Sequence, residues 1–283
     1  MLRNSKLSDY YIRKISNIKI IVALRRDLLD IVFDCTRDAG FQQEKYESYM
    51  LPLLWSKDTL EQMIERRINE VFKRQYTKEG VRFDDIFPSP RKGGKQVALD
   101  YVIERTLLRP RDVMQFLNEC FISALNSPRV SWEALTRAEG VYSEKRIKSL
   151  YEEWSQVYPC LKETIEIMRG MPFIFKRSTL AERLNNIADK LIDNDDDPCG
   201  KAVIDFCNSG GKTNESEVVS EILNCLYRIG AVGVKVSATE PYMWSDHGKA
   251  ILSKSEIKRV NQIQAHKMLL RTLGINELED ETN

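Results

Sequence analysis

Ile20 to Asp30 reads IIVALRRDLLD and Leu107 to Phe121 reads LLRPRDVMQFLNECF, and these two stretches decide how the chain is read. The first is an apolar run that ends in Arg25, Arg26 and Asp27, an order that places charge at the mouth of a strand. Residues Ile18 to Leu24 are rich in β-branched types and interrupted only by Lys19, the pattern of a strand buried on both faces of a parallel sheet. A strand does not stand alone. Either it pairs with strands from another chain, or it is a remnant packed against helices, or the run is the start of a buried helix. The second stretch sets Arg109, Arg111 and Asp112 around Pro110. It then places Val113, Phe116, Leu117, Cys120 and Phe121 at i, i+3, i+4, i+7 and i+8, as an amphipathic helix requires.

Composition narrows the classes. The 283 residues are enough to bury a substantial core. Forty-three basic residues against 42 acidic ones leave a net charge of +1, so no global field favours nucleic acid or membrane, and any such binding is local. The six cysteines lie far apart without a CxxC pair and read as reduced core thiols. No run reaches the ~20 apolar residues of a membrane helix, and the N-terminus lacks the apolar core of a signal peptide. The expectation is a cytoplasmic protein without membrane contact.

From Ser56 the text is helical. Leu60, Met63, Ile64, Ile68, Val71 and Phe72 mark one face of a helix whose other face is charged. Asp84 to Lys95, with Pro88, Pro90, Gly93 and Gly94, reads as a loop, and Val97 to Leu107 as a further helix. Ser131 and Ser143 both have the look of N-caps, so two helices are expected there. Leu180, Leu184, Ile187, Ala188 and Leu191 predict one more amphipathic helix, and Asp193 to Asp197 reads as a solvated acidic break rather than a metal site. Val218 to Leu226 predicts a helix stopping at Gly230. Alternating Val232, Val234 and Val236, then Tyr242 to Trp244, predict two short strands. Helix, glycine turn, strand, loop, strand is the order of a winged helix-turn-helix. A last long helix is expected from Ser255 to about Leu273.

These residues carry a resemblance. Ile20 to Asp30 looks like the sensor-1 strand and turn of bacterial P-loop ATPases of the AAA-like and STAND-like kind. Asp58 to Ile68 (DTLEQMIERRI) is similar to the start of their helical lid, and Arg109 to Asn118 (RPRDVMQFLN) to the lid helix that bears a sensor-2 arginine. Leu226 to Val234 (LYRIGAVGV) resembles the winged helix appended to several of them. The resemblance implies nucleotide-sensing roles for Arg25, Arg26, Arg109 and Arg111, with the alternatives that Arg25 and Arg26 pair with Asp27, Asp30 or Asp34 on the surface, and that Arg109 and Arg111 are solvated while Asp112 offsets the helix dipole. It also implies a setting of stress or phage defence.

The departure from the family is large. A P-loop needs a glycine-rich loop, a lysine and an acidic magnesium ligand. The 17 residues before Ile18 hold no glycine, and Gly210-Gly211-Lys212-Thr213 has Phe206 where the first glycine of the motif falls. The histidines, His247 and His266, sit in different segments and supply neither a triad nor a metal cluster.

The expected fold is therefore mainly α: a remnant of an ATPase core over 1–55, a helical lid-like domain over 56–175 and a winged-helix-like domain over 176–283. The expected function is a non-catalytic regulatory or interaction portion of an ATPase switch. No cofactor is expected for the chain alone, and ATP with magnesium only together with a complementary core. A protein partner, either that missing core or a second copy, is expected. The alternative is a DNA-binding winged-helix protein using Lys212, Arg228 and Lys235. Against it, the helix from Glu215 to Arg228 carries Glu215, Glu217 and Glu221, poor electrostatics for phosphate.

Overall fold

The computed structural model describes residues 19–24, 28, 29, 32, 44–75, 78–91, 96–209, 214–237, 239–246 and 251–277. The chain divides into two compact units, Met1–Leu53 and Leu54–Asn283. In the first, Leu28, Leu29 and Val32 are helical, and Glu44–Glu47 forms a short helix, α1. The expected strand is not formed: residues 19–24 take no regular structure, and Ile20, Ile21 and Val22 are 75%, 92% and 75% exposed. A strand needs a neighbour for its N–H and C=O groups, and among the described residues none pairs with this one. Arg25 and Arg26 lie outside the described residues.

The second unit is mainly helical with one small sheet. Its first part holds α2 (Lys57–Gln75), α3 (Phe83–Ile86), α4 (Ala98–Ile103) and α5 (Pro110–Ser123), followed by the long helix α6 (Trp132–Trp154). Helix α2 starts where Ser56 Oγ accepts from Thr59 N at 3.2 Å, and Pro110 opens α5 at a position whose N–H needs no partner. Leu60, Ile64 and Ile68 of α2 share a core with Phe83, Phe87, Tyr101, Phe116, Leu117, Leu135 and Tyr142. Phe83 stacks on Phe87 with ring centroids 4.0 Å apart, and Phe116 on Tyr142 at 4.6 Å.

Two caps were expected near α6 and one is found. Ser131 caps the helix by accepting from Ala134 N, but Ser143 lies in its middle, fully buried. Its hydroxyl turns away from the backbone it would cap and donates to the carbonyl of Met268.

The second part contains α7 (Leu161–Glu166), β1 (Ile174–Lys176), α8 (Arg177–Arg183), α9 (Asn185–Leu191), α10 (Pro198–Asn208) and α11 (Glu215–Arg228). It continues with β2 (Val232–Lys235), α12 (Lys254–Arg259), β3 (Gln262–Ala265), a 3-10 turn over Lys267–Leu269 and α13 (Leu270–Leu273). The helix expected over 180–191 is broken in two at Leu184, with Leu180, Leu184, Ile187 and Leu191 still facing inward.

The last long helix is replaced by α12, β3 and α13. Val260 and Ile263 keep helical spacing with Ile257, but Ile263 and Ala265 are buried while Gln262 and Gln264 are half-buried, so period 2 prevails. Strand β3 is the centre of an antiparallel sheet of order β1-β3-β2, with Phe175 opposite Ile263 and Val232 opposite Ala265. The strand expected at Tyr242 to Trp244 is reduced to a single bridge between Met243 and Val234.

Asp197, expected to be solvated, is fully buried. It caps α10 by accepting from Cys199 N at 2.8 Å and Gly200 N at 3.2 Å, and it accepts from Cys160 N at 2.8 Å. Gly200 is required there because a Cβ would come within 2.1 Å of the Asn194 carbonyl oxygen. Gly230, at φ +78°, turns the chain from α11 into β2, and a Cβ would meet the Leu107 side chain at 2.9 Å. Among the described residues no helix is long and apolar enough to cross a membrane.

Candidate functional site

Arg109 is the N-cap residue of α5 and Arg111 follows the opening proline, so both guanidiniums leave the same helix end. Helix α6 runs beside α5 and presents Arg146 and Glu153 two turns apart on one face. Glu153 is the meeting point. It accepts from Arg109 Nη1 at 3.0 Å, Arg111 Nη2 at 2.8 Å and Arg146 Nη1 at 3.2 Å. Burial by itself would raise the Glu153 carboxyl, but the hydrogen bonds and charges of Arg146 and Arg109 outweigh it and hold the group at about 2. The side chains of Arg109 and Arg111 remain 42% and 74% exposed, whereas that of Arg146 is 1% exposed.

Behind this fork lies Asp112, fully buried, with Oδ2 3.5 Å from Arg146 Nε. Both Asp112 oxygens, Arg146 Nε and the Tyr142 hydroxyl are buried without a hydrogen bond. Burial and the neighbouring Asp112 carboxylate push the Tyr142 hydroxyl well up. An open cleft of about 620 Å³ begins at Arg111 and runs along Met114, Gln115, Asn118, Ser149 and Glu152. The arginines expected near Pro110 therefore come together, and they do so on one acid of the same chain, Glu153.

A second charged cluster had no sequence signal. Glu139 of α6 accepts from Tyr101 Oη, from Arg105 Nε at 2.7 Å and from Arg271 Nε at 3.1 Å. The Arg105 guanidinium lies 3.4 Å from the Tyr101 ring centroid. Burial pushes the Tyr101 hydroxyl up, against the opposing pull of Arg105. Glu139 and Arg271 are far apart in sequence, so only the fold could pair them.

Two of the residues of the DNA reading, Arg228 and Lys235, lie among the described residues. Arg228 packs against Trp154 and Tyr158, 5.9 Å from each ring centroid, and donates to Tyr158 Oη at 3.3 Å. Lys235 Nζ sits 4.7 Å from the Tyr242 ring centroid, and Lys212 and His247 lie outside the described residues. Most of α11 is buried, and its exposed first turn is acidic. The segment before Gly210 is the helix α10 and not the strand that precedes a phosphate loop. Among the described residues, no group of three or more His, Cys, Asp and Glu is placed to hold a metal. Cys120, Cys160, Cys199 and Cys225 are free and buried, and burial pushes the Cys160 thiol up to about 11.

The family described as the FunZ-associated C-terminal helical domain matches residues 58–151. The match covers Arg109, Arg111, Asp112 and Arg146 and stops short of Glu153. The chain is 24% identical over 208 residues to the putative transposon gamma-delta 80.3 kDa protein of Escherichia coli (strain K12), across 72% of this chain and 28% of that protein. It is 25% identical over 130 residues to Allergen Alt a 2 of Alternaria alternata, across 44% of this chain and 66% of the allergen. The chain thus spans less than two thirds of either relative. No solved structure matches. The family match bears on the helical stretch 58–151.

Proposed function

We propose that the chain is a non-catalytic regulatory and interaction region of a P-loop ATPase switch, acting on a protein partner in a stress or phage-defence setting. The observation that carries this reading is the exposed pair Arg109 and Arg111, held side by side by one carboxylate at the start of α5. A guanidinium keeps its charge and presents planar donors, so a pair ordered in this way is ready to exchange Glu153 for an anionic group of a partner. In the first unit, Leu51 and Leu53, 83% and 82% exposed, supply apolar surface of the sort that partners cover. The likeness to a transposon protein, of which the matched region is 28%, supports a part in a larger mobile-element machine.

Phe206 stands where the first glycine of a phosphate loop before Gly211 and Lys212 would fall, and the segment before Gly210 is the helix α10, which supports leaving nucleotide to the partner. Nucleotide chemistry is therefore assigned to the partner. Affinity capture of the tagged chain from its native cells, with and without ATP, tests this. The expected result is a partner bearing a complete nucleotide site, with capture weakened in the Arg109→Ala, Arg111→Ala double variant. Recovery of the chain by itself under both conditions contradicts it.

A second reading, DNA binding through a winged helix, is supported by the sheet order β1-β3-β2 after a run of helices, and by one row across the sheet. Lys176, Gln262 and Lys235 are paired neighbours in register. The burial of α11 leaves that row, rather than a recognition helix, to meet phosphate. Salt-dependent retention on duplex DNA, lost in the Lys176→Ala, Lys235→Ala double variant, supports this reading, and retention unchanged by the variant removes it.

A further inference from the structure

We propose that the outer face of the sheet binds single-stranded DNA, with Trp244 stacking on a base and Lys176 and Lys235 taking the phosphates beside it. This deepens the second reading above and rests on it, since the same row of β1, β3 and β2 contacts phosphate and the rest of the face takes the bases.

The sheet has two unlike faces. Phe175, Ile263 and Val234 lie side by side in register and are buried in the core. Strand side chains alternate, so the adjoining rows turn the other way. One of these is Lys176, Gln262 and Lys235, and the next is Ile174, Gln264 and Gly233. Lys176 is exposed, while Gln262, Gln264 and Lys235 are half-buried, so this face reaches solvent as the first does not.

Gly233 brings an aromatic ring onto that face. A Cβ at this position would stand 2.4 Å, 2.6 Å and 2.8 Å from Trp244 Cε2, Cζ2 and Cδ2. These are bonded neighbours in one ring, and distances so short and so alike place the Cβ over the face of the ring rather than at its edge. The indole therefore lies flat on the strand and turns its second face away from the sheet. His266, the next outward residue of that strand after Gln264, meets the indole at 89° with ring centroids 5.3 Å apart and braces it. Trp244 is only half-buried. A flat indole open on one side is a platform on which any base stacks.

Charge and hydrogen bonding complete the match. Lys235 Nζ lies 4.7 Å from the Tyr242 ring centroid, a contact that positions the ammonium without neutralising it. Arg177, which follows Lys176, donates to the Ile257 and Ser216 carbonyls and the Ser220 hydroxyl at 2.8 Å, 2.6 Å and 2.6 Å. All three acceptors are neutral, so its charge adds to the field at this end of the sheet. Exposed Arg259 ends α12 just before Gln262. Two acids at this end are engaged: Glu256 accepts from Ser253 N at 2.9 Å, and Glu217 lies 3.9 Å from Lys258. Gln262 and Gln264 offer carboxamides, which pair with base edges. In a duplex the base faces are stacked inside, so only a single strand can use the indole.

Fluorescence anisotropy of the full chain with a labelled DNA strand of about 12 nucleotides, its duplex and the RNA of the same sequence tests the proposal. The single DNA strand is expected to bind at least about tenfold more tightly than the duplex, and no more weakly than the RNA. Trp244→Leu is expected to lose about tenfold on the strand and nothing on the duplex, and Trp244→Phe to keep most of the affinity. Lys176→Ala, at an exposed side chain, is expected to lower the slope of log affinity against log salt by about 0.7, which keeps the test decisive should Trp244→Leu fail to fold. Equal binding to strand and duplex, unmoved by Trp244→Leu, overturns this proposal and leaves the DNA reading standing. Tighter binding of RNA overturns the choice of DNA, and no binding to any of the three overturns both.

Discussion

In the core that contains α2 and α5, Leu60, Ile64, Phe116 and Leu117 sit on helices joined by short connections. In the core that contains α11, the sheet pairs Ile174 with Gln264 and Asp197 reaches back to Cys160. One is built from amphipathic faces that form turn by turn, and the other from pairings that exist only once distant segments meet. The arginine fork lies where they join, on α5 and on the far half of α6. Sensitivity to substitution should therefore sit at the junction first, in the long-range core next, and least on the exposed tips of the fork.

The largest loss is expected from Arg146→Ala, which leaves Asp112 buried without its counter-charge and removes one partner of Glu153. About 3–5 kcal/mol of unfolding free energy should disappear in urea titrations, and Arg146→Met combined with Asp112→Leu should recover most of it. A single variant that loses nothing would break the picture of a junction held by charge. Asp197→Ala strips three backbone N–H groups of their acceptor and should cost about 3 kcal/mol. Thermal unfolding should show the loss in the core of α10 and α11 before that of α2, and equal loss in both would merge the two cores into one.

Acid should act through Glu153. Its carboxyl is held at about 2 when folded, against about 4.3 when unfolded, so the stability it lends is fully present above about 4.5 and is lost as pH falls from there toward 2. The expected loss is about 2 kcal/mol between urea midpoints at neutral pH and at the bottom of that window, and Glu153→Gln should flatten this part of the curve. Arg111→Ala should be the mildest change, below about 1 kcal/mol, because the side chain is 74% exposed. If it costs as much as Arg146→Ala, the fork is structural and not a contact surface.

The first core was legible because its helices keep strict spacing: Val113, Phe116, Leu117 and Cys120 are all buried in α5 as their positions predicted. Ser131 was legible as a cap, but Ser143 was not, since a serine that bonds to Met268 far along the chain looks locally like one that ends a helix. Ile257, Val260 and Ile263 fit helical spacing, and only pairing with β1 and β2 makes Gln262–Ala265 a strand. Asp197 stood among other aspartates that do stay exposed, and nothing local marked it as the one that turns inward. At the fork, Arg109, Arg111 and Asp112 could be picked out from the helix-opening proline. Arg146 and Glu153 could not, because they read as ordinary charges on a long helix.

In the proposed function the chain responds to a partner's chemistry and performs none on nucleotide itself. Equilibrium binding of ATP with magnesium to the purified chain, read together with phosphate release from the same samples, tests it most directly. No saturable binding and no release above that of buffer are expected. Saturable binding with turnover that is lost in Arg109→Ala would contradict it.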